Sequence, residues 1–194
     1  MKIKKLFKKE KNPGLFIYGL SDLLLLVSVI LGISSLVLVI INKDIIALVF
    51  LFVTGLLTIA SRYARKKKTK QFEVLYNLVL EAVCSIITFG LVPMFFTIFL
   101  VGFNKTSTMI TGGIYLLATV LSVSYNLTRD LNNDSLSLNI GLPVVLVSVI
   151  YPIAYIICSM LGFVNYDLIF TLLLLVLAIL YIAPIKVKKF IKEK

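Results

Sequence analysis

The 194-residue chain has no histidine and no tryptophan, only two cysteines, and nine acidic residues against twenty Lys and Arg. Each shortage argues against a class of chemistry. With no histidine, the commonest general base and metal ligand is missing. Cys84 and Cys158 stand singly within long apolar stretches and no CxxC spacing occurs, which argues against zinc, haem and thiol-redox centres. Both read as small apolar packing residues. No repeat, heptad or low-complexity linker is present. The net charge of +11 does not point to nucleic acid, because no basic patch with interleaved stacking aromatics sits on a soluble domain.

What the chain has in excess is apolar length. It is 60% hydrophobic and 15% charged, with a mean hydropathy of +1.05, the composition of an integral membrane protein. A hydrocarbon core about 30 Å thick needs roughly 20 apolar residues per helix. The apolar runs are continuous rather than alternating, so the expected class is an all-α, polytopic bundle and not a β-barrel. Six spans are expected, near 20–41, 45–61, 74–102, 109–127, 139–162 and 166–184. They form one membrane domain, 20–184, between a basic segment 1–19 and a basic tail 185–194. The N-terminal MKIKKLFKKEKNPG precedes a span too long for a signal-peptide core and shows no small-residue cleavage site, so it is expected to be retained.

Positive charge sets the expected orientation, because cationic loops stay on the cytoplasmic side during insertion. With both termini inside, 18 of the 20 Lys and Arg are cytosolic, leaving Lys43 and Lys105 outside. The charge is then an orientation signal and an attraction to anionic inner-leaflet lipid. The location expected is the plasma membrane. Richness in Lys, Ile and Asn suggests a low-GC bacterium, so the acceptor triplet Asn104-Lys105-Thr106 carries no weight. Membrane lipid and a second copy of the chain are the expected partners.

Ionisable groups inside spans are functional candidates by default. Asp22 reads as an N-cap of the first span, and Asp44 and Asp167 as caps of the second and sixth. Glu81 is different, since it falls about two turns into the third span. Asn77 and Ser85 lie four residues to either side, so Asn77, Glu81 and Ser85 share one helical face.

At that stripe the sequence resembles the CDP-alcohol phosphatidyltransferase family, most closely its phosphatidylserine synthase branch. The family carries D-x-x-D-G-x-x-A-R and then G-x-x-x-D-x-x-x-D, often followed by S-F-G-x-x-P. Here Leu57 to Arg65 keeps the Ala-Arg ending, Asn77 to Ser85 keeps the second spacing, and Thr88-Phe89-Gly90-Leu91-Val92-Pro93 follows. Asp22 with Ser28 and Gly32, the Gly141-Leu142-Pro143 turn and Ala183-Pro184-Ile185-Lys186 match further short motifs in order, over roughly 20–188. The resemblance implies a site in which four aspartates hold Mg²⁺ or Mn²⁺ on the pyrophosphate of a CDP-linked lipid. Those positions are Leu57, Ala60, Glu81 and Ser85, and the motif glycines are Ser61 and Asn77. One carboxylate remains of four, and the interval before Asn77 is about three residues longer than in the family. A hard dication on a diphosphate usually needs at least two carboxylates. The chain therefore reads as a catalytically silent homologue with no metal and no cofactor, a vestigial site at Leu57, Ala60, Ser61, Arg65, Asn77, Glu81 and Ser85, and Arg62 and Arg65 as candidates for a lipid phosphate. The competing readings are an enzyme with rearranged carboxylates, Asp22, Glu73 and Glu81, and an unrelated small transporter.

Overall fold

A computed structural model describes residues 19–65, 71–102, 105–131, 138–162 and 166–188. The basic segment up to residue 18, the lysines among 66–70, Asn104 and the tail from 189 lie outside the described residues. The elements are α1 (Leu20–Ile40), α2 (Asp44–Arg65), α3 (Gln71–Ser85), a π-helical segment (Ile86–Leu91), α4 (Val92–Val101), α5 (Thr106–Leu131), β1 (Leu138–Ile140), a 3₁₀ turn (Val144–Leu146), α6 (Val147–Met160), α7 (Tyr166–Ile182) and β2 (Lys186–Lys188). The architecture is helical apart from the three-residue antiparallel pair β1–β2. Leu20–Ile40, Asp44–Arg65, Glu73–Val101 and Thr106–Leu131 are long and apolar enough to cross a membrane, and Val144–Met160 and Tyr166–Ile182 are shorter apolar helices.

The outer surface is Leu, Ile and Val, while the helix interfaces hold small hydroxyl residues: Ser28, Ser35, Thr54, Thr58, Ser61, Thr97 and Thr119 are all buried. This is the arrangement that suits a bilayer, where lipid is as apolar as leucine and helices associate through close backbone approach and hydrogen bonds. Gly55 is one such approach, since a Cβ there would lie 1.9 Å from Ser148 Oγ. Ser35 Oγ donates to the Ala47 carbonyl at 2.7 Å and ties α1 to α2. Beyond the α1–α2 pair, α5 packs along α7 and α2 against α6, and the third span touches both α1 and α5. In that span, Glu73–Val101, 56% of an 18-residue apolar stretch is buried, against 28–39% in the other three long helices, so it is the central one of the four.

Its interruption has a chemical cause. Pro93 has no N–H to give the carbonyl four residues back, Phe89, and the ring crowds that carbonyl. The helix widens into the π segment just before the proline, and Tyr115 on α5 donates its hydroxyl to the Phe89 oxygen at 2.5 Å. One turn on, Thr97 Oγ1 donates to the Pro93 carbonyl at 3.0 Å and lies 3.0 Å from the Tyr151 hydroxyl.

The fifth segment departs from the expected helix over 139–162. Leu138–Ile140 is extended and pairs with Lys186–Lys188, and regular helix begins only at Val147. Gly141 at φ 80° turns the chain, and Pro143 stands before the 3₁₀ turn at ψ 123°, outside the helical region. Only glycine fits position 141, because a Cβ would come within 2.2 Å of the Tyr181 carbonyl oxygen. The Gly141 and Leu142 amides donate to Ile185 and Leu180 at 3.0 Å, tying the turn to the end of α7.

Candidate functional site at one end of the bundle

Two helix ends and the middle of a third helix meet at one level: the first turn of α1, the last turn of α2 and, about two to three turns in from Gln71, the Asn77–Glu81 stretch of α3. On α2 the buried positions run Thr54, Thr58, Ser61, Arg65, a spacing of three and four that makes one face. Thr54, Thr58 and Ser61 turn their hydroxyls back onto the carbonyls of Phe50, Thr54 and Thr58 at 2.8 to 2.9 Å, so their hydrogen bonds close within the helix. The face they leave is narrow, and it ends at two arginines. On α3, Asn77, Glu81 and Ser85 are all buried.

The two faces close on Glu81. Arg62 Nε donates to Oε1 at 2.5 Å and Arg65 Nη1 donates to Oε2 at 2.5 Å, so each carboxylate oxygen holds a separate guanidinium. Arg65 Nη1 also reaches Asn77 Oδ1 at 3.3 Å, and Asn77 Nδ2 donates to Asp22 Oδ1 at 2.6 Å. The asparagine amide thus faces its carbonyl to an arginine and its NH₂ to an aspartate, which fixes its orientation. Asp22, Asn77, Arg65, Glu81 and Arg62 form one chain of contacts across three helices. Its two carboxylates and two guanidiniums cancel in charge, which is the condition for burying four ions.

Asp22 is not an N-cap. The helix is capped by Gly19, whose carbonyl accepts the Asp22 and Leu23 amides at 3.1 and 3.3 Å, with no side-chain cap bond. An N-cap must lie outside the helix in extended conformation, whereas Asp22 is the third helical residue and fully buried. It keeps only the favourable field of the helix start. Asp44 and Asp167 likewise lie inside the first turns of α2 and α7. Ser21 is buried beside Asp22, its hydroxyl without a hydrogen-bond partner among the described residues.

The structure brings together Arg62, Arg65, Asn77 and Glu81 of the sequence-derived site, and buries Ser61 and Ser85 on the same two faces. It does not gather Leu57 and Ala60 with them. Leu57 is half-buried and Ala60 is exposed, because the inward stripe of α2 runs through Thr58 and Ser61. The residues do not fit the divalent metal that the resemblance implies. Both oxygens of Glu81 are held by arginines that would repel a dication, and Asp22 Oδ1 is held by Asn77. Among the described residues no group of three or more His, Cys, Asp or Glu could hold a metal ion, so Asp22, Glu73 and Glu81 do not make one.

The Asp22 to Asn77 contact is the feature of the candidate site that sequence reasoning missed. Its partners are 55 residues apart, and helical spacing reports the face a residue occupies but not what it meets. The Tyr115 to Phe89 bond had a usable signal, since a proline inside a span announces an orphaned carbonyl four residues earlier. Comparison with family models, with curated proteins and with solved structures finds no match to this chain.

Proposed function

We propose that this is a multi-pass plasma-membrane protein of six spans with both termini cytosolic, and a catalytically silent homologue of CDP-alcohol phosphatidyltransferases that keeps a headgroup-level site for a binding or regulatory role in phospholipid metabolism. The observation that carries the reading is the Glu81 carboxylate, bound at 2.5 Å by both Arg62 and Arg65. A carboxylate held between two guanidiniums sits where a dication would be repelled, and it is a poor base. Arg62, with one-fifth of its side chain exposed, is where this site reaches the surface, and a lipid phosphate arriving from the cytosolic leaflet would meet it there.

The topology draws support from the same contacts. The start of α1, the end of α2 and the middle of α3 meet in one cluster, and the charge bias assigns that end to the cytosol. Lys105 and Asp167, both assigned to the outer face, form an ion pair with each other. Val144–Met160 and α7, at 17 residues, rise about 26 Å, at the short end of what crosses a bilayer, so the two together can complete the count of six.

The deciding experiment incubates purified protein with CDP-diacylglycerol, Mg²⁺ or Mn²⁺, and serine, inositol phosphate or glycerol phosphate. No CMP should be released above a lipid-only control. Metal-dependent release that disappears in Glu81→Gln would overturn the silent reading in favour of an enzyme with rearranged carboxylates.

A further inference from the structure

Among the described residues two buried side-chain atoms lack a hydrogen-bond partner, Ser21 Oγ and Arg129 Nη1. They differ in what would satisfy them. A neutral hydroxyl needs no more than a water, whereas a guanidinium keeps its charge at any working pH and, once buried, needs an anion.

Arg129 stands on the inward face of α5. Gly112, Tyr115, Thr119 and Ser122 are buried at intervals of three and four, and Asn126 and Arg129 continue that stripe. α5 runs antiparallel to the third span, since a Cβ on Gly112 would meet Met94 and one on Gly90 would meet Thr119, and it packs against α3 as well. Ten residues on from Thr119, about 15 Å, lies Arg129, and ten residues back from Gly90 lies Leu80. Arg129 therefore comes level with the Asn77–Glu81 stretch.

The other two guanidiniums at that level are already neutralised, because Arg62 and Arg65 hold the two oxygens of Glu81. No described carboxylate forms an ion pair with Arg129, and Glu73 on α3 and Asp130 next to it are engaged elsewhere. The end of α5 favours a cation in its last turn but brings no acceptor to Nη1. The residue as a whole is half-buried, so a ligand at the surface can reach it.

We infer that Arg129 binds a phosphate oxyanion, carried by a lipid headgroup or by a soluble phosphate ester. The planar fork of arginine suits that group, and here its charge is not already taken by a carboxylate. The inference deepens the proposed headgroup site by naming the cation that holds the phosphate, and it rests on that reading only for the side of the membrane. It can fail while the phosphatidyltransferase assay still yields no CMP, and it can hold if that assay does yield CMP.

The test titrates purified full-length protein in a neutral detergent with inorganic phosphate, glycerol phosphate or a short-chain phosphatidic acid, with phosphatidylcholine as the zwitterionic control. The rise of the unfolding midpoint with concentration gives each affinity. Phosphatidic acid should bind, and Arg129→Gln should weaken it by roughly tenfold or more, the worth of a hydrogen bond to a charged group. Arg129→Lys should keep part of the affinity, and Lys105→Gln, which removes the same charge at the other end of the bundle, should leave it unchanged. Without ligand, Arg129→Gln should unfold no lower than wild type, because it removes an uncompensated charge. A variant that unfolds lower or does not fold would show that the chain itself pairs the guanidinium, which overturns the site. Equal affinities in wild type and Arg129→Gln, a loss confined to Arg62→Gln, or no binding of any of the three phosphates overturns it as well. Binding of all three supports a site for the phosphate group itself, and binding of phosphatidic acid alone supports one for a lipid headgroup.

Discussion

The two halves of the third span are held by different forces. Around Glu81 the neighbours are tied by ions and amides, with Arg62, Arg65, Asn77 and Asp22 in one connected set. Fifteen residues on, around Phe96, they are tied by rings. Tyr151 and Tyr155 meet Phe96 edge to face at 6.0 and 5.7 Å, and Phe170 lies at 5.8 Å. The difference lies in what remains after one member is lost. A missing ring forfeits dispersion and a quadrupole contact of about 0.5–1.5 kcal/mol per pair, and lipid or side chains refill the gap. A missing ion leaves its partner charged and buried, which costs far more than the pair contributed.

The largest effect is therefore expected at Glu81. Glu81→Leu strands two guanidiniums and should cost about 3–5 kcal/mol, whereas Phe96→Leu should cost no more than ~2. Glu81→Gln keeps hydrogen bonds but not charge and should fall between. The sharper form of the comparison is the triple variant Arg62→Leu, Arg65→Met, Glu81→Leu, which removes the ions together and should recover most of the loss, because a buried ion set replaced by apolar residues is often neutral. Thermal unfolding in detergent measures all four. Equal midpoints for Glu81→Leu and wild type would mean the cluster is solvated and the contrast between the halves is false.

A middle-sized effect is expected where the halves join. Tyr115 supplies the Phe89 carbonyl with a donor in place of the amide that Pro93 lacks. Tyr115→Phe keeps the ring and removes only the hydroxyl, at a cost of about 1–2 kcal/mol. Pro93→Ala restores an amide at that position, so the double variant should lose less than the sum of the singles. Strict additivity in the double-mutant cycle would show that the tyrosine and the proline are unrelated.

How much of this the sequence disclosed follows the same division. Helical spacing gives faces, so Asn77, Glu81 and Ser85 could be placed together from their intervals alone. It does not give neighbours. That Asp22 meets Asn77, and that Glu81 takes both arginines, depends on how α1, α2 and α3 are set against one another, which no local pattern encodes. Register within α2 was the harder case. A motif frame puts Ala60 in the site, while the polar intervals Thr54, Thr58, Ser61 and Arg65 mark the face that is buried. The π segment and the β1–β2 pair were hidden for another reason: both are responses to Pro93, Gly141 and Pro143 that tertiary contacts complete.

The smallest effect is expected at the opposite end of the bundle, where Lys105 meets Asp167. The pair has the same chemistry as Arg62 with Glu81 but a different setting, with side chains 51% and 30% exposed. Water can solvate either ion when the other is removed, so Lys105→Gln should cost no more than about 1 kcal/mol. Salt separates the two cases further. At about 1 M the Debye length falls to roughly 3 Å, and the difference between Lys105→Gln and wild type should vanish, while that for Glu81→Leu should persist because the buried charges are not screened. A Lys105→Gln loss as large as that of Glu81→Leu, and equally indifferent to salt, would show that charge alone, rather than burial of charge, sets the cost at both ends.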